Sequence, residues 1–403
     1  MNFRNIHAPL VSVIVVNYNY ERFIEECLHS ILNQTYPYIE CIIIDNASTD
    51  FSVKKIDMIV DRKDFERDGR SLSVIKSKIN LHQTAGSAEA FKLSTGSFVI
   101  FFDADDYMLP TCVETHIRAM LYLRIPVAAT CVDYFMSRGD DLTVSVSGSG
   151  FSEFVMAGAG RQSAFSRIVD MPPTGLGAEL DLKPSELHYV DRNVSGWPWS
   201  GTCGLCFRRE MVELMFTRVP ALKAQLDSYL VRGINCLTGT VLIDRPLVVY
   251  RHHGANIFAK GPLIANCRFY DPIVNRANTS NTLKEIIKTF VTESPALAER
   301  LESHIVFIEA IDTLSKTWPG LKPEMPVSTY TLQILVKHEH TLRQAFGDTE
   351  YRIWVRKYVK SLRDFIFVAR KYLAFQMTKV FRPRTDLALM KNNEQDCVEN
   401  KSN

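Results

Sequence analysis

The stretch Phe98-Val99-Ile100-Phe101-Phe102-Asp103-Ala104-Asp105-Asp106-Tyr107-Met108-Leu109-Pro110 constrains the fold of this chain more than any other. Its first five residues are apolar and follow Thr95-Gly96-Ser97, so they read as a strand buried on both faces. Three carboxylates therefore fall at the C-terminal end of that strand, the edge where open α/β sheets bind ligands. Acids so close repel one another unless a cation or a proton relieves them. Mg²⁺ is typically held by one or two carboxylates, with substrate phosphates and water completing its shell, so Asp103-Ala104-Asp105 points to Mg or Mn and a phosphate-bearing substrate. The competing reading is a solvated acidic turn that opens a helix, because acids favour helix starts.

The segments before this strand alternate in type. Leu10 to Val16 is an apolar, β-branched run ending in Asn17-Tyr18-Asn19-Tyr20, and Glu21 to Gln34 repeats apolar residues at helical spacing. Glu40 to Ile44 is a second strand, leading through Asp45-Asn46-Ala47-Ser48-Thr49-Asp50 into a helix over Lys54 to Val60. Leu72 to Lys76 is a third strand and Thr84 to Ser94 a third helix. Such a βαβαβαβ array implies an α/β fold with a mostly parallel sheet, which commonly binds nucleotides at its C-terminal edge. Neither G-x-G-x-x-G nor G-x-x-x-x-G-K-[ST] follows the first strand, which excludes a Rossmann dehydrogenase and a P-loop NTPase.

Four of these segments carry a resemblance to a known family: Val11 to Asn19, Ser30-Ile31-Leu32-Asn33-Gln34-Thr35, Glu40 to Asp50, and Phe102-Asp103-Ala104-Asp105-Asp106. In this order and spacing they are similar to the family 2 glycosyltransferases. The resemblance implies a GT-A fold, a nucleotide-sugar donor (a UDP-sugar), a divalent cation, and sugar transfer with inversion at the anomeric carbon. Carried over by position, it places Tyr18 and Asp45 at the donor base, Asp103 near the ribose, and Asp105 on the metal. A Tyr can stack on a base, and a strand-end carboxylate can accept hydrogen bonds from base N–H groups. Ala88 stands where the family usually has an Asn, so donor contacts from that helix are not carried over.

Downstream, Thr111 to Leu123 reads as a helix and Val127 to Tyr134 as a strand. Residues 138–198, rich in Gly, Ser, Asp and Pro, read as a long acceptor loop or lid. Trp197 and Trp199 are candidates for stacking on an acceptor sugar, with core packing as the alternative. Gln225 to Gly233 resembles the family segment whose Glu-Asp pair supplies the general base. Here the Asp is Asp227, and Leu226 replaces the Glu. An inverting transfer needs one carboxylate to take the acceptor hydroxyl's proton, a role that falls to Asp227. Tyr250-Arg251-His252-His253-Gly254-Ala255-Asn256 matches the family's closing motif, which makes Arg251 a candidate for the donor diphosphate and His253 a third metal ligand beside Asp103 and Asp105.

The resemblance covers residues 8–258, and the expected organisation is a GT-A domain over 1–260, a helical C-terminal domain over 261–385 and a disordered tail over 386–403. Helices are expected over Asn281 to Val291, Pro295 to Thr317, Tyr330 to Ala345, and Tyr351 to Lys379. The last gathers Arg352, Arg356, Lys360 and Arg363 on one side, and Trp354, Val355, Tyr358, Phe365 and Ile366 on another. A basic amphipathic helix of this kind suits an anionic lipid surface or, alternatively, packing inside the fold.

Composition sets the remaining bounds. A net charge of +2 over 403 residues argues against nucleic acid as a partner. The absence of an apolar signal core at Met1 to Pro9, and of any 18-residue apolar run, leads us to expect a cytoplasmic, non-processive hexosyltransferase at most peripherally bound to the inner membrane face. Nine scattered cysteines read as reduced core thiols, including Cys203-Gly204-Leu205-Cys206, a C-x-x-C without metal or redox context. The acceptor is expected to be a saccharide or lipid-linked saccharide. The alternatives are a nucleotidyltransferase on a similar sheet and a catalytically inactive sugar-nucleotide-binding scaffold.

Overall fold

β1 (Val11–Asn17) is buried on both faces and pairs in parallel with β2 (Ile39–Asp45) on one side and β4 (Phe98–Asp103) on the other. In the computed structural model, residues 8–63, 65, 70–123, 127–138, 141–143, 182–192, 194, 196–254, 256, 281–283, 285–290, 313, 332, 335–359, 364, 366 and 369–370 are described. β3 (Ser71–Lys76) adds to β2, completing the parallel block β3-β2-β1-β4. β9 (Leu205–Arg208) then runs antiparallel between β4 and β6 (Ala129–Arg138) and leads directly into α5 (Arg209–Met215). β10 (Thr240–Arg251) pairs in parallel with β6, and β5 (Tyr107–Met108) pairs antiparallel with β10. Two short strands lie off this path: β7 (Asp141–Thr143) pairs with β6, and β8 (Leu187–Val190) pairs with β10.

Alternation along the strands divides the core between two faces. Val13, Val15, Ile43, Ile100 and Phe102 pack with residues of α1 (Ile24–Leu32), α2 (Ser52–Asp61) and α4 (Cys112–Tyr122). On the opposite face Phe101 meets Phe91 of α3 (His82–Phe91), with ring centroids 6.4 Å apart. This is the α/β architecture with parallel strands around β1 that the sequence predicts for a GT-A domain.

The Ser30 to Thr35 motif has a structural task. Ser30 Oγ accepts from Met108 N (3.1 Å), Gln34 donates to Leu109 O (2.8 Å) and accepts from Val113 N (3.0 Å), and Thr35 donates to Glu114 Oε2 (2.6 Å). These bonds fix the segment immediately following the three acids. The seven cysteines within the described residues, Cys203 and Cys206 among them, are free and buried.

Within the segment 138–198, β8 pairs with β10 through Thr240↔Val190 to Ile243↔Leu187; the stretch 144–181 lies outside the described residues. The chain divides into compact units Met1–Glu324 and Met325–Asn403. Within the first unit, residues of the helix at 281–290 bond to the segment at 225–229: Thr289 to Tyr229 (2.8 Å) and Thr282 to Gln225 (3.0 Å).

In the second unit, α7 (Glu339–Phe346) and α8 (Asp348–Tyr358) adjoin across Gly347, whose φ of 85° sits in the left-handed region that glycine tolerates. Tyr351, Trp354 and Tyr358 are buried, and the Tyr351 hydroxyl donates to Leu335 O (3.2 Å). The aromatic face expected to meet lipid is thus used for packing, while Arg352, Arg356 and Lys357 remain exposed. No described helix is long and apolar enough to cross a membrane. Most of 359–379, the helix predicted over 295–317, and the tail at 386–403 lie outside the described residues.

Candidate functional site

Strand register sets the site. Asn17 lies opposite Asp45, and Asp103 opposite Val16, so the ends of β1, β2 and β4 form one row at the C-terminal edge of the sheet. Asp45 is 2% exposed; Asn17 Nδ2 donates to its Oδ1 (2.7 Å) and Ser48 N to its Oδ2 (2.9 Å). Thr49 N donates to Asn19 Oδ1 (2.7 Å), lacing the loops after β1 and β2 together. Tyr18 stands on the rim of this assembly, 42% exposed.

The acids form a tight turn in which Asp106 N donates to Asp103 O (3.1 Å). Gln83 Nε2 donates to Asp103 Oδ1 (2.9 Å). Burial, and then the charge of Asp105, push the Asp103 carboxyl up to about 7. Asp105 is held by His253, whose Nε2 lies 3.0 Å from Oδ2, and by the Tyr20 hydroxyl; burial and then Asp105 itself push that phenol well above its ordinary range. Asp106 is fully buried, accepts from Arg251 N (3.0 Å), and receives the Cys203 thiol. Its carboxyl is raised well above the usual range, by burial first and then by Asp105 and Asp103.

Three predicted assignments meet a different geometry. The His253 ring nitrogen serves the Asp105 carboxylate, and the ring packs against Phe23 with centroids 4.8 Å apart. Among the described residues no three His, Cys, Asp or Glu side chains gather as a ligand cluster, and of the expected set Asp103, Asp105 and His253 the imidazole is engaged by the Asp105 carboxylate. The pair Asp103 and Asp105, with Asp103 raised by burial and then by Asp105, suits a hard cation that completes its shell with phosphate and water. Arg251, expected at a diphosphate, lies over Phe23 (5.2 Å) and Tyr107 (4.8 Å) and pairs with Glu26 (3.0 Å). Trp199 is 1% exposed, with its indole nitrogen donating to Thr240 Oγ1 (2.8 Å), which makes it a core residue and removes it as a sugar platform.

Asp227 occupies the first turn of α6 (Leu226–Thr238), entered through Gln225 at φ 72°. Leu226, which replaces the Glu of the Glu-Asp pair, is wholly buried, a position where an apolar residue packs without cost. Ser228 N donates to Asp227 Oδ1 (2.7 Å). Burial raises the Asp227 carboxyl to about 6, while the Ser228 amide and the charge of Arg232 act in the opposite sense. The Arg232 guanidinium lies 5.0 Å from the centre of the Trp197 ring, and Trp197 meets Trp199 edge-on at 5.3 Å. The loop that delivers α6 adjoins the acidic turn through Gln83, whose backbone N–H donates to Lys223 O (3.0 Å) while its side chain holds Asp103.

Sequence reasoning missed Tyr20, Gln83 and Asp106. Tyr20 and Asp106 sit inside quoted motifs and were legible as neighbours of named residues. No pattern marks Gln83.

The model of glycosyl transferase family 2 matches residues 12–154. An uncharacterised glycosyltransferase of Nostoc is 27% identical over 252 residues, 61% of this chain and 66% of the relative. One from Haemophilus influenzae is 33% identical over 135 residues, 31% of this chain and 40% of the relative. The UDP-Glc:alpha-D-GlcNAc-diphosphoundecaprenol beta-1,3-glucosyltransferase of Escherichia coli is 34% identical over 113 residues, 28% of this chain and 41% of the relative. Each match spans less than two thirds of the relative's length. The stretch similar to glycosyl transferase family 2, residues 12–154, is the one that holds the row of strand ends and the Asp103 to Asp106 turn.

Proposed function

We propose that the chain is an inverting hexosyltransferase that moves a sugar from a nucleotide-sugar donor to a hydroxyl of a saccharide or lipid-linked saccharide, with Mg or Mn at the donor. One juxtaposition carries the reading: Asp227 opens a helix whose approach loop is bonded at Lys223 to Gln83, the residue that also bonds Asp103. A base and a pair of donor-side acids on one sheet edge are what a direct displacement at an anomeric carbon requires.

Tyr18 stacks on the donor base, and Asp45, whose oxygens each keep a second lone pair beyond the bonds to Asn17 and Ser48, accepts from it. Asp105 and Asp103 are the residues that would hold the cation, and when bound it would offset charge on the departing nucleoside diphosphate. His253 and Tyr20 orient Asp105, and Arg251 stiffens the junction of α1 and β5. Asp227 takes the proton of the acceptor hydroxyl. Its carboxyl at about 6 is ionised at neutral pH yet more basic than an ordinary Asp, which suits a general base. Trp197 is left as the aromatic candidate for the acceptor ring.

The name of the Escherichia coli relative specifies a UDP-sugar and a diphosphoundecaprenol-linked acceptor, and we extend that class to this chain: surface-polysaccharide assembly at the cytoplasmic membrane face. Contact with the membrane would be electrostatic, through Arg352, Arg356 and Lys357. Titration calorimetry of UDP and GDP, with Mn²⁺ or with EDTA, followed by turnover of the matching nucleotide sugars, tests the reading. Binding of neither nucleotide under either condition would overturn it.

A further inference from the structure

We propose that Gln83 is a positioning residue that registers the donor-side acid Asp103 against the helix bearing Asp227. The proposal rests on the reading of those two acids given above.

Gln83 uses both of its hydrogen-bonding ends across the site. Its side-chain amide donates to Asp103 Oδ1 (2.9 Å) and lies 3.5 Å from Thr202 Oγ1. Its backbone N–H donates to Lys223 O (3.0 Å), two residues before Gln225 and four before Asp227. One residue thus touches the end of β4 and the loop that delivers α6.

The surroundings fix Gln83 in turn. His82 adopts φ 62°, an uncommon conformation for a residue with a side chain, and is held there on both sides. Its N–H donates to Asn80 Oδ1 (2.8 Å), and its carbonyl accepts from Asn46 Nδ2 (3.2 Å), next to Asp45. On the far side of the α6 loop, Ala221 N donates to Glu285 Oε2 (3.0 Å), so the loop is clamped between Glu285 and Gln83. A neutral amide suits the position. It donates to a carboxylate without cancelling the charge that a cation needs, as Lys would, and without repelling it, as Glu would.

Gln83→Leu deletes the bond to Asp103 and keeps the backbone bond to Lys223, while Gln83→Glu places an acceptor against an acceptor. In full-length protein, the expected result for Gln83→Leu is UDP affinity weakened about 10-fold in Mn²⁺ and unchanged in EDTA, with a melting temperature within a few degrees of wild type. Gln83→Glu should weaken it further. In steady-state turnover of the accepted nucleotide sugar, Gln83→Leu should lower kcat as well as raise donor KM, and its effect on kcat should shrink in an Asp227→Asn background, because a residue that aligns the base has nothing to align once the base is gone. Unchanged Mn²⁺-dependent affinity, or a kcat effect fully additive with Asp227→Asn, would overturn the proposal while leaving the transferase reading intact. Failure of the wild-type protein to bind UDP or GDP would remove both.

Discussion

His253 Nε2 lies 3.0 Å from Asp105 Oδ2, joining the end of β10 to the acidic turn across 148 positions of sequence. The backbone bond from Arg251 to Asp106 runs beside it, so the residues that close β10 brace the acids from outside. The two residues should therefore separate on mutation. Asp105→Ala should abolish the Mn²⁺ dependence of UDP binding. His253→Ala should leave that dependence in place but weaken it about 10-fold, the cost of losing a hydrogen bond to a charged group. Calorimetry with UDP in Mn²⁺ and in EDTA distinguishes them, and equal losses would make His253 a ligand after all.

Asp227→Asn keeps the shape of the side chain and the bond from Ser228 but removes the base. Transfer should fall by roughly 10²- to 10⁴-fold with UDP affinity within a few-fold of wild type. Near-normal transfer would move the base elsewhere, with Asp191 and Glu213 next to test, although Glu213 already pairs with Arg209 (3.1 Å).

The same residue predicts a pH effect of defined sign. Its folded-state carboxyl is raised from 3.8 to about 6, so the stability it contributes is fully present below 3.8 and is lost as pH rises through about 6. Activity runs the other way, falling below about pH 6 as the base is protonated. Asp227→Asn should accordingly be more stable than wild type at pH 8, by about 1–2 kcal/mol, and the gain should vanish near pH 4. Chemical denaturation at the two pH values measures it.

The two tryptophans should part company in kinetics and stability. Trp199→Ala removes a buried ring and its bond to Thr240, and should cost about 3–5 kcal/mol in denaturant titrations. Trp197→Ala, at a half-buried position, should raise acceptor KM several-fold with little effect on stability. A stable Trp199→Ala protein with raised acceptor KM would reverse these roles.

For the second unit, Trp354→Ala should lower its stability. The triple change Arg352→Glu, Arg356→Glu and Lys357→Glu should abolish flotation with anionic liposomes, since each basic residue near such a surface is worth about 1 kcal/mol. Flotation indifferent to the triple change and to salt would remove the membrane contact.

The parallel block was legible because β1, β2 and β4 are continuous apolar runs whose ends carry the motifs, and a strand end fixes which sheet edge its polar residues reach. Asp45 and Asp103 were placed at that edge by this rule, and beside a donor only by the family resemblance. Trp199 was not, because an isolated aromatic in a Pro-Trp-Ser context reads the same whether its indole finds Thr240 or solvent. β8 was hidden in a segment of loop composition, since its partner β10 lies some fifty residues further on. Gln83 was invisible for a related reason: its meaning depends on Asp103 and on a carbonyl 140 residues away, and no local periodicity records either.

β4 acquires its second neighbour late. Its pairing with β9 joins Phe98 to Arg208 and Ile100 to Cys206, so a nascent chain leaves the apolar Phe98 to Ile100 edge of the acid-bearing strand unpaired while the next hundred residues are made. An edge of that kind is a template for pairing with other chains. The segment matched by the family model, ending at residue 154, thus stops short of the strand that seals its own sheet, and expression of that segment alone should yield aggregates, whereas a chain continued through β10 supplies both β9 and the brace at His253.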